Sequence, residues 1–224
     1  MPKKKARKDE QVNPGGLEIR PLLDRPEKVA IVALGRSSHS YIAEVMSDHG
    51  MKNPFDEVWG INRALRGFVI DKLFCMDDFR WLEARNENYS NSLRAFDKPI
   101  ITSTVYPEYP MSVEYPFQEV IQSIGDDVFA VNSVSYAVAY AIHIGVKEMS
   151  IYGADFSYPN GNTAESGGQA VAYLLGIAKE RGIQFRLPAN TTMLYANETK
   201  QTNQGMVREY YGYHRKAEME AGKA

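Results

Sequence analysis

The sequence predicts an α/β fold, a single domain whose mostly parallel sheet carries helices on both faces. Two observations carry this. Short apolar runs ending in Gly, Asn or Asp recur along the chain, and stretches with helical apolar spacing separate them. The first run, residues 29–34, reads Val-Ala-Ile-Val-Ala-Leu and closes at Gly35. A continuous apolar run of this kind fits a strand buried on both faces, as a parallel sheet requires. Arg36, Ser37, Ser38, His39 and Ser40 follow, and then a helical pattern carrying Ile42, Val45 and Met46.

The remaining elements repeat this order. Strands are predicted over 57–61, ended by Asn62; over 72–76, ended by Asp77 and Asp78; and over 99–103. Two more are predicted over 147–152, ended by Gly153, Ala154 and Asp155, and over 183–187, stopped by Pro188. Helices are predicted over 79–85, 133–145 and 170–181. Residues 105–115 contain Pro107 and Pro110 and run into Pro116, which predicts an irregular loop or lid. Polar residues 157–168 predict another loop. Strands alternating with helices imply right-handed crossovers and a Rossmann-like sheet.

The chain of 224 residues has a formal net charge of -2, 44% hydrophobic and 24% charged residues. This is the balance of a globular domain able to bury a full core. The one cysteine, Cys75, lies in the apolar run Leu73-Phe74-Cys75-Met76 and reads as a core thiol. No disulfide can form within the chain, which agrees with a reducing, cytoplasmic setting. No apolar run approaches the roughly 18 residues of a membrane-spanning helix. Residues 1–26 read as a basic flexible arm, 27–200 as the Rossmann-like nucleotide-binding domain, and 201–224 as a polar tail with a short helix over 206–217. The arm, with Lys3, Lys4, Lys5, Arg7 and Lys8, reads first as a solvated tail. The alternative is an arm that touches nucleic-acid phosphates.

In open α/β sheets ligands bind outside the carboxyl ends of the strands. That rule selects Gly35, Ser37, Ser38, Asn62, Asp77, Asp78, Asn132, Ser133 and Asp155. Glycine allows close backbone approach, serines at a helix start can donate to phosphate oxygens, and asparagine amides can read a base or sugar edge. Each residue also has a plainer role. Ser37, Ser38, Ser133, Asp77 and Asp78 can cap helices, and Asp155 can brace a turn. The first loop is neither Gly-x-Gly-x-x-Gly nor a Walker sequence. His39 lies beside the predicted cleft, and no zinc-ligand spacing is present.

Residues 29–38, Trp59-Gly60-Ile61-Asn62, 132–148 and Ile151-Tyr152-Gly153-Ala154-Asp155-Phe156 together resemble bacterial CMP-sialic-acid-dependent sialyltransferases of the lipooligosaccharide type. Motility accessory factors and archaeal hydroxymethylpterin diphosphokinases are similar in the same segments. The resemblance implies a nucleotide-sugar donor held by Gly35, Ser37, Ser38, Asn62 and Ser133. Where the sialyltransferases read Gly-x-Gly-Pro-Ser, this chain has Gly35-Arg36-Ser37-Ser38-His39. Their catalytic histidine, in the loop after the Gly-x-Asp strand, has no counterpart in 157–168, which leaves Glu165 as the substitute base. The diphosphokinases imply instead that Asp77, Asp78 and Asp155 bind magnesium around ATP.

Three functions follow. The first is a glycosyltransferase with Glu165 or His39 as base and Tyr106, Tyr109 and Tyr115 lining the acceptor site; the basic arm adds a hydroxylated base in DNA as acceptor. The second is a magnesium-dependent diphosphokinase or other phosphoryl transferase. The third is a nucleotide-binding protein without catalysis. A homo-oligomer agrees with any of them.

Overall fold

The computed structural model describes residues 25–47, 53–157, 160–194, 199–202 and 205–208. Seven strands form one sheet: β1 (Lys28–Val32), β2 (Glu57–Ile61), β3 (Lys72–Phe74), β4 (Ile100–Thr102), β5 (Ser112–Glu114), β6 (Glu148–Tyr152) and β7 (Gln184–Arg186). Their order is β5-β4-β3-β2-β1-β6-β7, and every neighbouring pair is parallel. Helices α1 (His39–Ser47), α2 (Phe79–Arg85), α3 (Glu87–Ala95), α4 (Phe117–Ile124), α5 (Ser133–Ile144) and α6 (Gly161–Glu180) make the connections. A separate antiparallel pair joins β8 (Thr199–Thr202) to β9 (Gly205–Arg208).

The two-residue period of β1 divides the core. Val29 and Ile31 pack with Val138 of α5, Val171 and Leu174 of α6, and Val120 of α4. Ala30 and Val32 pack with Tyr41 of α1, Phe79 of α2 and Leu93 of α3. All four β1 residues are wholly buried. Each buried Val or Ile contributes about 1.5–3 kcal/mol, so this central strand fixes the register of both layers. The helices therefore cover both faces, as the apolar runs predict. Helix α5 crosses β1, β2 and β3 and ends at Gly145, whose φ of 72° is the left-handed stop. Cys75 is fully buried, and burial pushes its thiol up to about 12, so it is the predicted core thiol.

Five expectations are corrected. Residues 105–115 are not a lid. The prolines bracket β5 rather than interrupt it, and a three-residue edge strand pairs with β4 between them. Tyr106, Tyr109 and Tyr115 are buried. Tyr106 stacks on Phe79 with ring centroids 4.6 Å apart, Tyr109 meets the same ring edge-on, and the Tyr115 hydroxyl donates to the Tyr136 carbonyl at 3.0 Å. They are core residues, not an acceptor wall.

The predicted loop over 157–168 turns into helix α6 at Gly161, nine residues before the predicted start, with Asn160 as its N-cap. In α1 it is Tyr41 that faces the core, while Ile42 and Met46 are exposed. Met206 to Arg208 are strand rather than helix. The remainder of that expected helix, 209–217, and the arm up to residue 24 lie outside the described residues.

Candidate functional site

The winding of the chain reverses at β1, which has β2 on one side and β6 on the other. The carboxyl ends of these two strands mark the position where such sheets bind ligands. Here the strand ends are clasped to one another. The Ala33 N–H donates to the Tyr152 carbonyl and the Gly35 N–H to the Gly153 carbonyl, both at 2.8 Å. The Gly153 N–H donates to Ser37 Oγ at 2.8 Å. Asp155 completes the clasp: its Oδ2 accepts the Ser37 N–H at 2.7 Å and its Oδ1 accepts the Thr191 hydroxyl at 3.0 Å. The Thr192 hydroxyl donates to the Asp155 carbonyl.

The close approach that Gly35 permits is to the chain itself. A Cβ on Gly35 would lie 2.3 Å from the Gly153 carbonyl oxygen, and one on Gly153 would lie 2.2 Å from that of Ala33. Ser37, Ser38 and Asp155 are buried within the clasp. The N–H groups of Gly35, Ser37 and Ser38 are all spent on internal acceptors, the last on the Gly35 carbonyl at 3.0 Å.

Unspent polar groups lie to the side of the clasp. Asn62 follows β2 with φ of 50°, a left-handed conformation that asparagine tolerates, and the chain turns there into a short 3-10 segment, Asn62–Arg66. Its side-chain Oδ1 is buried without a partner.

Asn132 is the N-cap of α5. Its Oδ1 accepts the Ser135 N–H at 3.0 Å, and Ser135 Oγ accepts the Asn132 N–H at 3.3 Å, a reciprocal capping box. The cap fixes the orientation of the amide, and the Nδ2 group it leaves over is also buried and unpaired. Unpaired buried polar atoms cost about 1–3 kcal/mol each, so these two, with the Thr102 hydroxyl at the end of β4, call for an explanation. Ser133 joins this region to β3, its hydroxyl accepting the Met76 N–H at 3.1 Å.

Beside Asn62 stands Arg63, exposed, with its guanidinium 5.3 Å from the centre of the Tyr89 ring. Its charge acts on Asp77: desolvation raises the Asp77 carboxyl above its ordinary range, and Arg63 pulls it back. Asp78 caps α2, its Oδ1 accepting the Arg80 N–H at 2.8 Å. Both oxygens of Asp155 are thus occupied, and one oxygen of Asp78. Among the described residues no group of three or more His, Cys, Asp or Glu side chains could hold a metal ion.

The raised Asp77 has a testable consequence. Its folded form holds a proton more tightly than the unfolded chain does, so its contribution favours folding at low pH and is lost as pH rises through the folded value. Asp77→Asn is therefore expected to raise the Tm at pH 7, with the gain shrinking as the pH is lowered towards 4. Thermal melts across that range check it.

The last part of the site is a cavity of about 540 Å³ between the start of α6 and residues 191–194, lined by Phe156, Glu165, Gly168, Gln169, Thr192 and Met193 among others. This is within the roughly 300–1,000 Å³ of small-molecule pockets. Glu165 is exposed and accepts from Gln169 Nε2 at 3.3 Å, one helical turn on. The wall between cavity and cap is thin. A Cβ on Gly167 would lie 2.8 Å from the Phe156 ring and 2.9 Å from Asn132 Nδ2. His39 is exposed, with Nδ1 3.0 Å from the Arg36 carbonyl, so that nitrogen carries the proton; it does not line this cavity. A smaller cavity of about 240 Å³ is bounded by Ser40, Glu44, Tyr152 and Arg186, and the Glu44–Arg186 ion pair at 3.5 Å closes part of it.

Sequence reasoning finds Asn62 through its position after a strand, Asn132 through its position at the start of a helix, and Glu165 through the resemblance to the sialyltransferases. It does not find Arg63, Phe156 or Gly167. Arg63 carries one signal, its place directly after a strand-ending asparagine. The contacts of Phe156 and Gly167 depend on how α6 meets the α5 cap, which no local pattern encodes.

Fold and site together define a doubly wound α/β protein with a polar ligand end. No family model matches the chain, and no curated protein does. Among solved structures, the sialyltransferase CstII from Campylobacter jejuni in complex with the substrate analogue CMP-3FNeuAc is similar at 16% identity and a TM-score of 0.48, over 85% of this chain and 98% of that one. The same enzyme with cytidine-5'-monophosphate gives 16% identity and a TM-score of 0.47, over 86% and 99%.

Proposed function

We propose that the protein transfers a sugar from a nucleotide-activated donor to a hydroxyl group. The observation that carries this is the pair of unpaired amides, Asn62 and Asn132, beside the exposed Arg63 at the carboxyl end of the sheet. An amide acceptor and an amide donor suit the mixed polar edge of a nucleobase or ribose, and a guanidinium suits the phosphate that leaves. The resemblance of 132–156 to the sialyltransferases supports the same chemistry. The bond between the anomeric carbon and the phosphate oxygen would break as the acceptor oxygen bonds to that carbon. The acceptor proton would pass to the carboxylate of Glu165, and the negative charge on the departing phosphate would be met by Arg63. His39 is the second candidate base, through Nε2. A hydroxylated base in DNA enters as acceptor only through the basic arm.

A thermal-shift panel of nucleoside mono- and diphosphates and nucleotide sugars, with and without magnesium, tests the proposal. A ligand at a hundredfold excess over its Kd should stabilise by about 2.7 kcal/mol. The expected result is a metal-independent shift with one nucleotide, reduced by Asn62→Ala and by Arg63→Ala. A shift seen only with ATP and magnesium contradicts it in favour of phosphoryl transfer. A metal-independent shift whose ligand is recovered intact with every acceptor means binding without catalysis.

A further inference from the structure

From the charge of the 540 Å³ cavity we infer that, if the proposed function holds, the transferred sugar is neutral or carries an amine and is not an acidic sugar. Among the described residues, the two ionisable ones lining the cavity, Asp155 and Glu165, are both acids, and no lysine, arginine or histidine lines it. The Asp155 carboxylate is spent on Ser37 and Thr191, so Glu165 is the charge the cavity presents to a ligand. The rest of the lining is small or apolar, with Phe156, Ala164, Ala172, Met193 and Leu194, apart from the amide of Gln169 and the hydroxyl of Thr192.

A sugar carboxylate seated here would meet a like charge and no counter-charge from the described residues, and both would lose water. A neutral hexose would lay an apolar face on Phe156 and Met193 and direct hydroxyls at Gln169, Thr192 and Glu165. An amino sugar would pair with Glu165. The cavity adjoins the unpaired amide of Asn132 across the Phe156–Gly167 contact, so a nucleotide read by that amide and its sugar in the cavity can belong to one donor.

Matched donors test this, because UDP-glucose and UDP-glucuronate differ only in a hydroxymethyl group against a carboxylate. GDP-mannose and GDP-mannuronate form a second such pair. Affinities are measured by calorimetry at low salt for the wild type and for Glu165→Gln, together with the free nucleotides. The expected result is that the neutral member of the pair whose nucleotide binds is held about tenfold more tightly than the acidic one, and that Glu165→Gln narrows this to about threefold or less. A pair bound equally by the wild type, or an acidic member preferred, overturns the inference while leaving nucleotide binding intact. Failure of every nucleotide, free or conjugated, overturns the proposed function and the inference with it.

Discussion

Gly35→Ala is expected to destabilise the protein by about 3 kcal/mol or more, read as a drop in the urea midpoint with little change in slope. The reason is backbone and not ligand. The new methyl would lie 2.3 Å from the Gly153 carbonyl oxygen and 2.6 Å from Asp155 Oδ2, and a carbonyl in a paired strand end cannot step aside. Relief requires β1 and β6 to part at their carboxyl ends, which breaks the 2.8 Å bond from Gly35 to Gly153 and the bonds from Ser37 to Asp155 and Gly153. Gly153→Ala should cost a similar amount, because its Cβ would lie 2.2 Å from the Ala33 carbonyl oxygen and its φ of 70° disfavours any side chain. The two losses should not add, since either substitution opens the same clasp. A Gly35→Ala protein with unchanged stability would mean that Gly35 faces a ligand rather than β6.

Asp155→Ala should cost about 3–5 kcal/mol by the same measurement. It removes the acceptor of two charge-assisted hydrogen bonds and strands the buried Ser37 N–H and the Thr191 hydroxyl. Asp155→Asn should cost far less, about 1 kcal/mol, because an amide can still accept the Ser37 N–H while its nitrogen donates to Thr191 Oγ1. The contrast separates two roles. A clasp tolerates the amide in both stability and nucleotide binding. A magnesium ligand would not, and its loss would leave stability alone while abolishing metal-dependent turnover.

The sheet was legible in the sequence because its strands are buried on both faces. Residues 29–32 and 58–61 form unbroken buried runs; Asn62 follows β2 directly, while Gly35, Asp77 and Asp155 each lie three residues past the end of their strand. What was lost was lost for local reasons. Strand β5 is three residues long and framed by prolines, so its pairing with β4 outweighs its composition. The first turns of α6 contain Gly161, Gly167 and Gly168, which lower helix propensity by about 1 kcal/mol each, and close packing on Phe156 and Asn132 accounts for one of them, Gly167. For the site, position after a strand or at the start of a helix identified Asn62, Asn132 and Asp155, but not which of them has polar atoms left over. That depends on partners distant in sequence: Ser37 and Thr191 occupy Asp155, while the α5 cap occupies only half of Asn132.

The most direct test of the central claim is a nucleotide titration followed through the asparagine side-chain amide signals of the nitrogen-15-labelled protein, with Asn62→Ala and Asn132→Ser assigning the two resonances. A nucleotide at the carboxyl end of the sheet predicts saturable shifts of both signals with one common Kd, without magnesium. Saturable binding that moves other signals and leaves the side-chain amides of Asn62 and Asn132 in place would contradict it.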